Sequence, residues 1–181
     1  MKKADKKNVR ALNAQEIKQN LERICREIVK QHADSGQIAL IGIRTRGIHL
    51  AKRLSAAMKK LTGKEIPLGE MDIALYRDDL NTLLPDGKVD NTRISFDIAN
   101  KTIILVDDVL HTGRTARAAV DHLIDFGRPR AIHLAVLIDR GGRELPIAAD
   151  YVGKKVNVPG GGDVKVRLKE VDRVDEVVIG K

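Results

Sequence analysis

The chain has 181 residues, of which 43% are hydrophobic and 32% charged, a balance typical of a folded soluble domain rather than a disordered segment. The formal net charge of +8 favours phosphorylated ligands or nucleic acid, although charge alone fits simple solubility equally well. No apolar stretch has the length of a membrane span, the basic N-terminus lacks the apolar segment of a secretory signal, and the single cysteine suits a reducing compartment. We therefore expect one cytoplasmic domain over residues 1–181, with a basic tail over about 1–12.

The first part of the chain predicts two helices around a short strand. Asn13 and Glu16 have the spacing of a capping box. Apolar residues then recur at helical intervals: Ile17, Leu21, Ile24 and Ile28. The apolar run QIALIGI, residues 37–43, has the length of a strand. An amphipathic helix follows over 47–61, with apolar residues on one face as far as Leu61, and Gly63 ends it.

The middle of the chain combines a predicted strand with a long polar connection. GEMDIALY, residues 69–76, alternates between polar and apolar residues as a half-buried strand does. The polar stretch that follows extends to residue 93. Because connections of that length are usually functional or mobile, we expect an arm over about 76–93.

The second half repeats the alternation of strand and helix. TIILV, residues 102–106, predicts the clearest buried strand, and a helix follows over 113–126, closed by Gly127 and Pro129. Residues 131–138 predict another strand. VKVRL and VDEVVI near the C-terminus predict a hairpin or two separate strands. Strands that alternate with helices indicate an α/β domain with a largely parallel sheet.

Charged residues follow four of the predicted strands. These segments are residues 44–47, 77–79, 107–115 and 139–144. In parallel sheets, ligands bind outside the carboxyl ends of the strands. The four segments therefore predict one phosphate-rich site at one edge of the sheet.

The third of these segments joins two carboxylates to the start of a helix. A helix start offers free N–H groups and the positive end of a dipole, and Gly113 lets a phosphate approach the backbone of residues 112–115. Asp107 and Asp108 suit a pair of sugar hydroxyls, or Mg²⁺ held through water. A threonine cap beside solvated acids would explain the helix start, but not two carboxylates at the end of a buried strand.

Other phosphate and metal motifs do not fit. Gly42 and Gly47 have the glycine spacing of a P-loop, but Ile48 and His49 stand where Lys and Ser or Thr are needed. No G-x-G-x-x-G opens a helix after a strand. The lone cysteine and the scattered histidines form no metal-ligand pattern, so we expect no metal site made by the protein alone.

The sequence VDDVLHTGRT resembles the phosphoribosyl-pyrophosphate (PRPP) signature of type I phosphoribosyltransferases. IGIRTRGIHLAKRL, DIALYRDDL and AVLIDRGGRELPIAADYVGKKV are in turn similar to blocks of the PyrR family, pyrimidine operon regulators with uracil phosphoribosyltransferase activity. Together the blocks cover most of residues 38–156. The resemblance implies an α/β type I phosphoribosyltransferase fold with a central, mostly parallel sheet flanked by helices, a flexible arm, and a small hood from about 139–181 with the N-terminal segment.

The resemblance also implies roles for individual residues. The PRPP motif would comprise Ile103, Ile104, Leu105, Val106, Asp107, Asp108, Val109, Leu110, His111, Thr112, Gly113, Arg114 and Thr115. In it, the two aspartates would bind the ribose hydroxyls, and the segment from His111 onward would bind the 5-phosphate. The pyrophosphate loop would comprise Thr45, Arg46 and Gly47. The residues expected to matter most for catalysis are Asp107, Asp108 and Arg46, with Mg²⁺ bound to PRPP and pyrophosphate mostly through water.

Two further regions follow from the same resemblance. The start of the arm would comprise Tyr76, Arg77, Asp78 and Asp79, and the base pocket Asp139, Arg140 and Gly141. Purine phosphoribosyltransferases commonly have Asp at the position of His111, so the histidine favours a pyrimidine. Two interpretations of His111 remain open, a general base for uracil N1 and a loop histidine facing solvent or phosphate.

The family's second role is UMP-dependent attenuation through leader mRNA of pyrimidine genes. Candidate RNA contacts are Arg23, Arg26, Arg143 and Lys154, although a solvated basic face would also explain them. Family positions that often carry His and Arg are occupied here by Gly142 and Ala148, and Glu22 adds a charge unfavourable near phosphate. The resemblance thus implies an enzyme that makes UMP from uracil and PRPP and that also binds RNA to attenuate pyrimidine biosynthesis genes, as a homodimer or homotetramer. The alternatives are an enzyme without the RNA role, or one acting on another nucleobase.

Overall fold

The computed structural model describes residues 9–32, 37–74, 76, 91–158 and 161–180. Within these residues the strands are β1 (Val9–Leu12), β2 (Ile38–Ile43), β3 (Leu68–Met71), β4 (Thr102–Leu110), β5 (Ala131–Asp139), β6 (Tyr151–Lys155), β7 (Asp163–Arg167) and β8 (Glu176–Gly180). The helices are α1 (Ala14–Gln31), α2 (Arg46–Thr62), α3 (Arg114–Ile124) and α4 (Lys169–Asp172). In this part of the chain, no helix is both long enough and apolar enough to cross a bilayer.

A five-stranded parallel sheet of order β3-β2-β4-β5-β6 forms the centre of the fold. Its strands β2 and β4 are almost continuously apolar because both faces of the sheet are covered. One hydrophobic cluster joins α1 and α2 to the sheet, and a second cluster packs α3 against its other face. The predicted α/β architecture is confirmed, and the carboxyl ends of the central strands share one edge of the sheet.

The local signals of the first helix are confirmed. Asn13 Oδ1 accepts a hydrogen bond from the Glu16 backbone N–H at 3.0 Å, and Glu16 Oε2 accepts one from the Asn13 N–H at 2.8 Å. The predicted apolar stripe is buried: Ile17, Leu21, Ile24 and Ile28. Cys25 packs beside it, and burial raises the pKa of its thiol. At the end of α2, Gly63 adopts the left-handed conformation, whereas Leu61 is 53% exposed and does not belong to the apolar face predicted for it.

A separate antiparallel sheet of order β1-β8-β7 lies outside the central one. The C-terminal hairpin of β7 and β8 was expected, but α4 between them was not. Residues 9–12, predicted to be part of the basic tail, form β1 because they pair with β8. The sequence signals for β6 were also missed. This strand pairs with β5 and therefore belongs to the central sheet, although it falls within the range expected for the hood.

The strand predicted over residues 69–76 is shorter than expected, because β3 ends at Met71. Asp72 Oδ1 accepts a hydrogen bond from the Ala74 N–H at 3.1 Å, so a turn follows the strand. The side chain of Ile73, in this turn, is buried, which explains why polar and apolar residues alternate here as they do in a strand. Of the residues expected to begin the arm, Tyr76 is described, whereas Arg77, Asp78 and Asp79 lie outside the described residues.

Candidate active site

A cavity of about 310 Å³ opens where β2, β3 and β4 end. It is lined by Arg44, Thr45, Asp72, Ile73, Ala74, Asp107, Asp108, Val109 and Thr115. Residues from two of the charged segments that follow predicted strands, 44–47 and 107–115, thus meet in one place with the turn after β3, as parallel strands require. We call this space the first cavity.

Two adjacent carboxylates at the end of β4 line the first cavity. Asp107 Oδ1 accepts a hydrogen bond from the Asp108 N–H, and Asp108 Oδ1 accepts one from the Val109 N–H, both at 2.9 Å. Burial raises the pKa of Asp108, while the positive charge of Arg46 acts in the opposite direction. The backbone therefore helps to fix the orientation of both carboxylates.

The start of α3 borders the same cavity through Thr115. Gly113 precedes the helix with φ of 96°, and Thr112 Oγ1 accepts a hydrogen bond from the Arg114 N–H at 3.3 Å. The first turn of α3 contains no acidic residue. Nothing negative in that turn opposes the positive end of the helix dipole, so this end suits an anion.

The segment after β2 contains a cis peptide bond between Arg44 and Thr45, and α2 begins at Arg46. Gly47 packs so closely on β4 that a Cβ atom there would collide with the carbonyl oxygen of Val106. Gly42 likewise lies against the backbone of Ile48. The P-loop-like spacing of these glycines therefore serves the close packing of α2 on the sheet.

Arg46 is held by the small outer sheet. Its Nε and Nη2 atoms donate to Asp172 of α4 at 3.1 and 2.8 Å. The hydrogen bond with Asp172 raises the pKa of the guanidinium, and the charge of Asp108 adds to the effect. Arg46 thus carries a fixed positive charge beside the first cavity.

A second cavity of about 510 Å³ adjoins the ends of β5 and β6. It is lined by His111, Asp139, Arg140, Gly141, Gly142, Lys155, Val156, Asn157, Val158 and Gly161. The structure thereby brings the three residues predicted for the base pocket together with His111. Burial, reinforced by the charge of Arg140, lowers the pKa of His111, so its ring is neutral at pH 7.

Arg143 connects the loop after β5 to the loop after β4. Its Nε donates to the Ile147 carbonyl and its Nη1 to the His111 carbonyl, both at 2.8 Å, while Nη2 lies 2.7 Å from Asp139 Oδ1. The backbone N–H of Glu144 also donates to the Thr112 carbonyl, at 3.0 Å. This guanidinium, predicted as an RNA contact, thus stabilises the loops around the second cavity.

The other predicted RNA contacts differ in how far their charges are used within the chain. Arg23 Nη2 donates to the carbonyls of Val152 and Gly153, and its Nη1 pairs with Glu27 at 2.7 Å. Lys154 Nζ donates to the Ala11 carbonyl at 2.9 Å. Arg26 is exposed on α1, and no residue that the structure describes accepts a hydrogen bond from it.

The ends of the expected arm are anchored on α3. The Tyr76 hydroxyl donates to Asp125 at 2.8 Å, and its ring lies 4.1 Å from that of His122, measured between centroids. Thr92 Oγ1 lies 3.0 Å from His122 Nε2. Further along, Arg93 exchanges backbone hydrogen bonds with Glu70 of β3. Both flanks of this segment are therefore fixed to the core near the C-terminal end of α3.

Two groups of residues that line the cavities were not predicted from the sequence. Asp72 was placed inside a strand, and the turn signal of Asp72 with Ala74 is the feature that would have moved it to the strand end. The second group, residues 155–158, begins at the last residue of β6, a short strand with no clear periodicity. Its position becomes apparent only from the pairing of β6 with β5.

Comparison with known proteins agrees with this geometry. The phosphoribosyl transferase domain family matches residues 9–172. Bifunctional protein PyrR of Thermus aquaticus is 54% identical over 166 residues, 92% of each chain, and that of Pelotomaculum thermopropionicum is 50% identical over 163 residues, 90% of each chain. The chain belongs to the PyrR family of phosphoribosyltransferases.

Solved structures with lower identity share the fold. The hypoxanthine phosphoribosyltransferase of Trypanosoma cruzi superposes with a TM-score of 0.72 at 17% identity, covering 94% of both chains. A hypoxanthine-guanine phosphoribosyltransferase of Bacillus anthracis gives 0.72 at 17% identity, covering 98% of this chain and 100% of its own. The predicted type I phosphoribosyltransferase fold is confirmed.

Proposed function

We propose that this PyrR-family phosphoribosyltransferase is a cytoplasmic enzyme that converts uracil and PRPP into UMP and pyrophosphate. The observation that carries the proposal is the meeting of Asp107, Asp108 and the start of α3 in the first cavity, next to a second cavity lined by His111. One ligand can therefore place a diol, a phosphate and a base in three different chemical environments.

The two carboxylates suit the ribose ring. Each ionised carboxylate accepts hydrogen bonds, and the 2′ and 3′ hydroxyls of PRPP supply two donors side by side. The backbone N–H groups of Asp108 and Val109 hold the two carboxylates in orientation for this contact. We assign them to holding the sugar in place, because an oriented ribose exposes C1 to the incoming base.

The 5-phosphate is assigned to residues 111–115. Backbone N–H groups at the start of α3, the hydroxyls of Thr112 and Thr115, and the helix dipole all favour an anion there. The pyrophosphate is assigned to Thr45, Arg46 and Gly47. Negative charge accumulates on pyrophosphate as the bond to C1 breaks, and the guanidinium of Arg46 offsets it.

The first cavity also fits a magnesium ion that enters with PRPP. Its carboxylate oxygens, from Asp72, Asp107 and Asp108, are hard donors of the kind Mg²⁺ prefers. Among the residues described, no His, Cys, Asp and Glu cluster could hold a metal by itself, so phosphate oxygens and water would complete its coordination. When bound, the ion would neutralise charge on the pyrophosphate.

The base is assigned to the second cavity. Asp139, Arg140 and Gly141 line it together with His111, whose neutral ring can both donate and accept a hydrogen bond. Uracil offers both kinds of partner through its carbonyls and N–H groups. The histidine therefore supports a pyrimidine substrate and provides a polar contact to it.

Regulation of pyrimidine genes through RNA is the second part of the proposal. The relatives reported above are bifunctional PyrR proteins, and the exposed Arg26 together with a net charge of +8 provides a basic surface. UMP, as the product bound in both cavities, would be the co-ligand that signals abundant pyrimidine. We expect a homodimer or homotetramer to present this surface more than once.

The enzymatic proposal is tested by measuring pyrophosphate release from PRPP with and without uracil. We expect release to depend on uracil and to fall at least a hundredfold in the double variant Asp107→Asn, Asp108→Asn, as expected when positioning of a reactant is lost. Equilibrium binding of PRPP to this variant should weaken as well. An inactive wild-type protein with every nucleobase, or unchanged PRPP affinity in the variant, would contradict the proposal.

A further inference from the structure

Two arginines on one face of α2 bind acidic residues at α4. Arg46 and Arg53 lie about two helical turns apart, so their side chains leave the helix in the same direction. Arg46 pairs with Asp172, whereas Arg53 pairs with Glu170 at 2.6 Å and with Asp175 at 2.7 Å. The short helix of the small sheet is thereby attached to α2 at two points, and only the first is next to the first cavity.

The Arg46–Asp172 pair has a defined geometry. The Nε and Nη2 atoms of Arg46 face the two oxygens of the carboxylate, which is the bidentate arrangement. Asp172 Oδ2 also accepts a hydrogen bond from the Leu168 N–H at 2.9 Å, so the carboxylate itself cannot turn freely. Nη1 of Arg46 makes no hydrogen bond with any described residue, and the Arg46 side chain retains 32% exposure.

We infer that Asp172 is a positioning residue for the phosphoribosyl transfer, holding the guanidinium of Arg46 by one edge and leaving its Nη1 side for the pyrophosphate. The inference rests on the proposed function, because that proposal assigns the leaving group to Arg46. Asp172 touches no reacting atom and acts through the arginine alone.

The charges around Arg46 explain why a carboxylate that fixes its guanidinium is useful. Asp108 lies close enough for its charge to act on Arg46, and it is one of the carboxylates assigned to the ribose. An unrestrained Arg46 would be drawn toward Asp108 and away from the pyrophosphate. A carboxylate fixed from the opposite side keeps the cation oriented, so less conformational entropy is lost as the leaving group gains charge.

The test compares Asp172→Asn with Glu170→Gln in the reverse reaction, in which UMP and pyrophosphate form PRPP and uracil. Both changes remove one charge from α4 and break one arginine pair, but Glu170 faces Arg53, away from the first cavity. We expect Asp172→Asn to raise the KM for pyrophosphate roughly ten- to a hundredfold, as small misplacements of a positioned group do, while the KM for UMP changes less than about twofold. Glu170→Gln should leave both constants near those of the wild type.

Asp172→Glu provides a second variant that retains the charge and the pair. It should restore part of the pyrophosphate affinity, which a purely structural role of the residue would not produce. An active wild-type enzyme in which Asp172→Asn and Glu170→Gln have the same pyrophosphate KM would overturn this inference and leave the proposed function intact. A wild-type protein without any phosphoribosyl transfer would overturn both.

Discussion

In the second cavity, Gly142 lies so close to the ring of His111 that there is no room for a side chain at position 142. Gly142 has φ of 70°, and a Cβ atom on it would lie 2.9 Å from Nε2 of His111. Gly141 has nearly the same φ, 69°, but the space around its Cβ position is open. A side chain at either position suffers the same backbone strain, whereas only a side chain at 142 displaces the imidazole.

We expect Gly142→Ala to raise the KM for uracil roughly fivefold, the change that corresponds to about 1 kcal/mol lost from binding. The displaced ring of His111 would take up space and lose its contact to the base. Kinetics with uracil varied at saturating PRPP measure the effect. Gly141→Ala is the control with matched strain, and it should lower the melting temperature similarly while raising the uracil KM less. Equal rises in the two variants would exclude His111 from base binding.

At the end of the sheet opposite the cavities, α1, β5 and β6 are connected by a cluster of aromatic and histidine side chains that make hydrogen bonds. His32, which ends α1, lies 3.1 Å from the Tyr151 hydroxyl of β6, and that hydroxyl donates to Gln31 at 2.9 Å. In β5, His133 Nδ1 lies 2.9 Å from Asp150 Oδ1, and its ring centroid lies 5.2 Å from that of His32. One helix and two strands are thus linked by these polar side chains.

This cluster predicts a loss of stability in mild acid. Burial lowers the pKa of His32, and the charges of His133 and Arg130 lower it further. The folded protein therefore binds this proton less readily than the unfolded chain does. Its contribution to the free energy of unfolding is complete above the ordinary histidine value of 6.5 and is lost as the pH falls through and below that value.

We expect the melting temperature to fall between pH of about 7.5 and 5.5, and to fall less in His32→Gln. Thermal unfolding followed at a series of pH values measures both slopes. His111, whose pKa is also lowered, contributes in the same range, so His111→Gln serves as a parallel variant. Identical slopes in the wild type and in His32→Gln would show that the cluster does not sense pH.

The helices and strands that could be predicted from the sequence are those with local signals. The capping box at Asn13, the stop at Gly63 and the strand–loop–helix of β4 and α3 all follow from neighbouring residues. In contrast, β1 and α4 are short, and their apolar content is too small to reveal a period. They exist because they pair or pack with distant parts of the chain, which no local pattern records.

In the molecule as a whole, one part of the candidate site could be predicted from the sequence and another part could not. The first cavity could be anticipated because parallel strands bring their carboxyl ends together, so the order of charged segments already indicated a common edge. The Arg46–Asp172 pair could not be predicted, because its members are 126 positions apart and belong to two different helices, α2 and α4. The internal hydrogen bonds of Arg143 could not be predicted either, since the sequence shows its charge but not the carbonyls to which it donates.

Most of the basic side chains predicted to contact RNA already make hydrogen bonds within the protein, which reduces the surface available to RNA. Arg23, Arg143 and Lys154 donate hydrogen bonds to backbone carbonyls of the protein, and their removal would disturb the fold as well as any RNA contact. Arg26 is exposed and makes no such bond within the described chain, so its charge remains available to phosphate. It is therefore the variant that can separate RNA binding from catalysis.

We expect Arg26→Gln to weaken binding of a pyrimidine-leader RNA hairpin and to reduce the slope of log affinity against log salt by about 1, because one phosphate contact is lost. Uracil-dependent pyrophosphate release should stay unchanged, since Arg26 lines neither cavity. Lys60→Gln removes another exposed charge, from α2, and serves as the control. Filter binding with and without UMP, against a scrambled hairpin, measures the affinities. If UMP does not strengthen binding and the scrambled RNA binds equally well, the basic surface is only a nonspecific polyanion site, and the chain is an enzyme without the regulatory role.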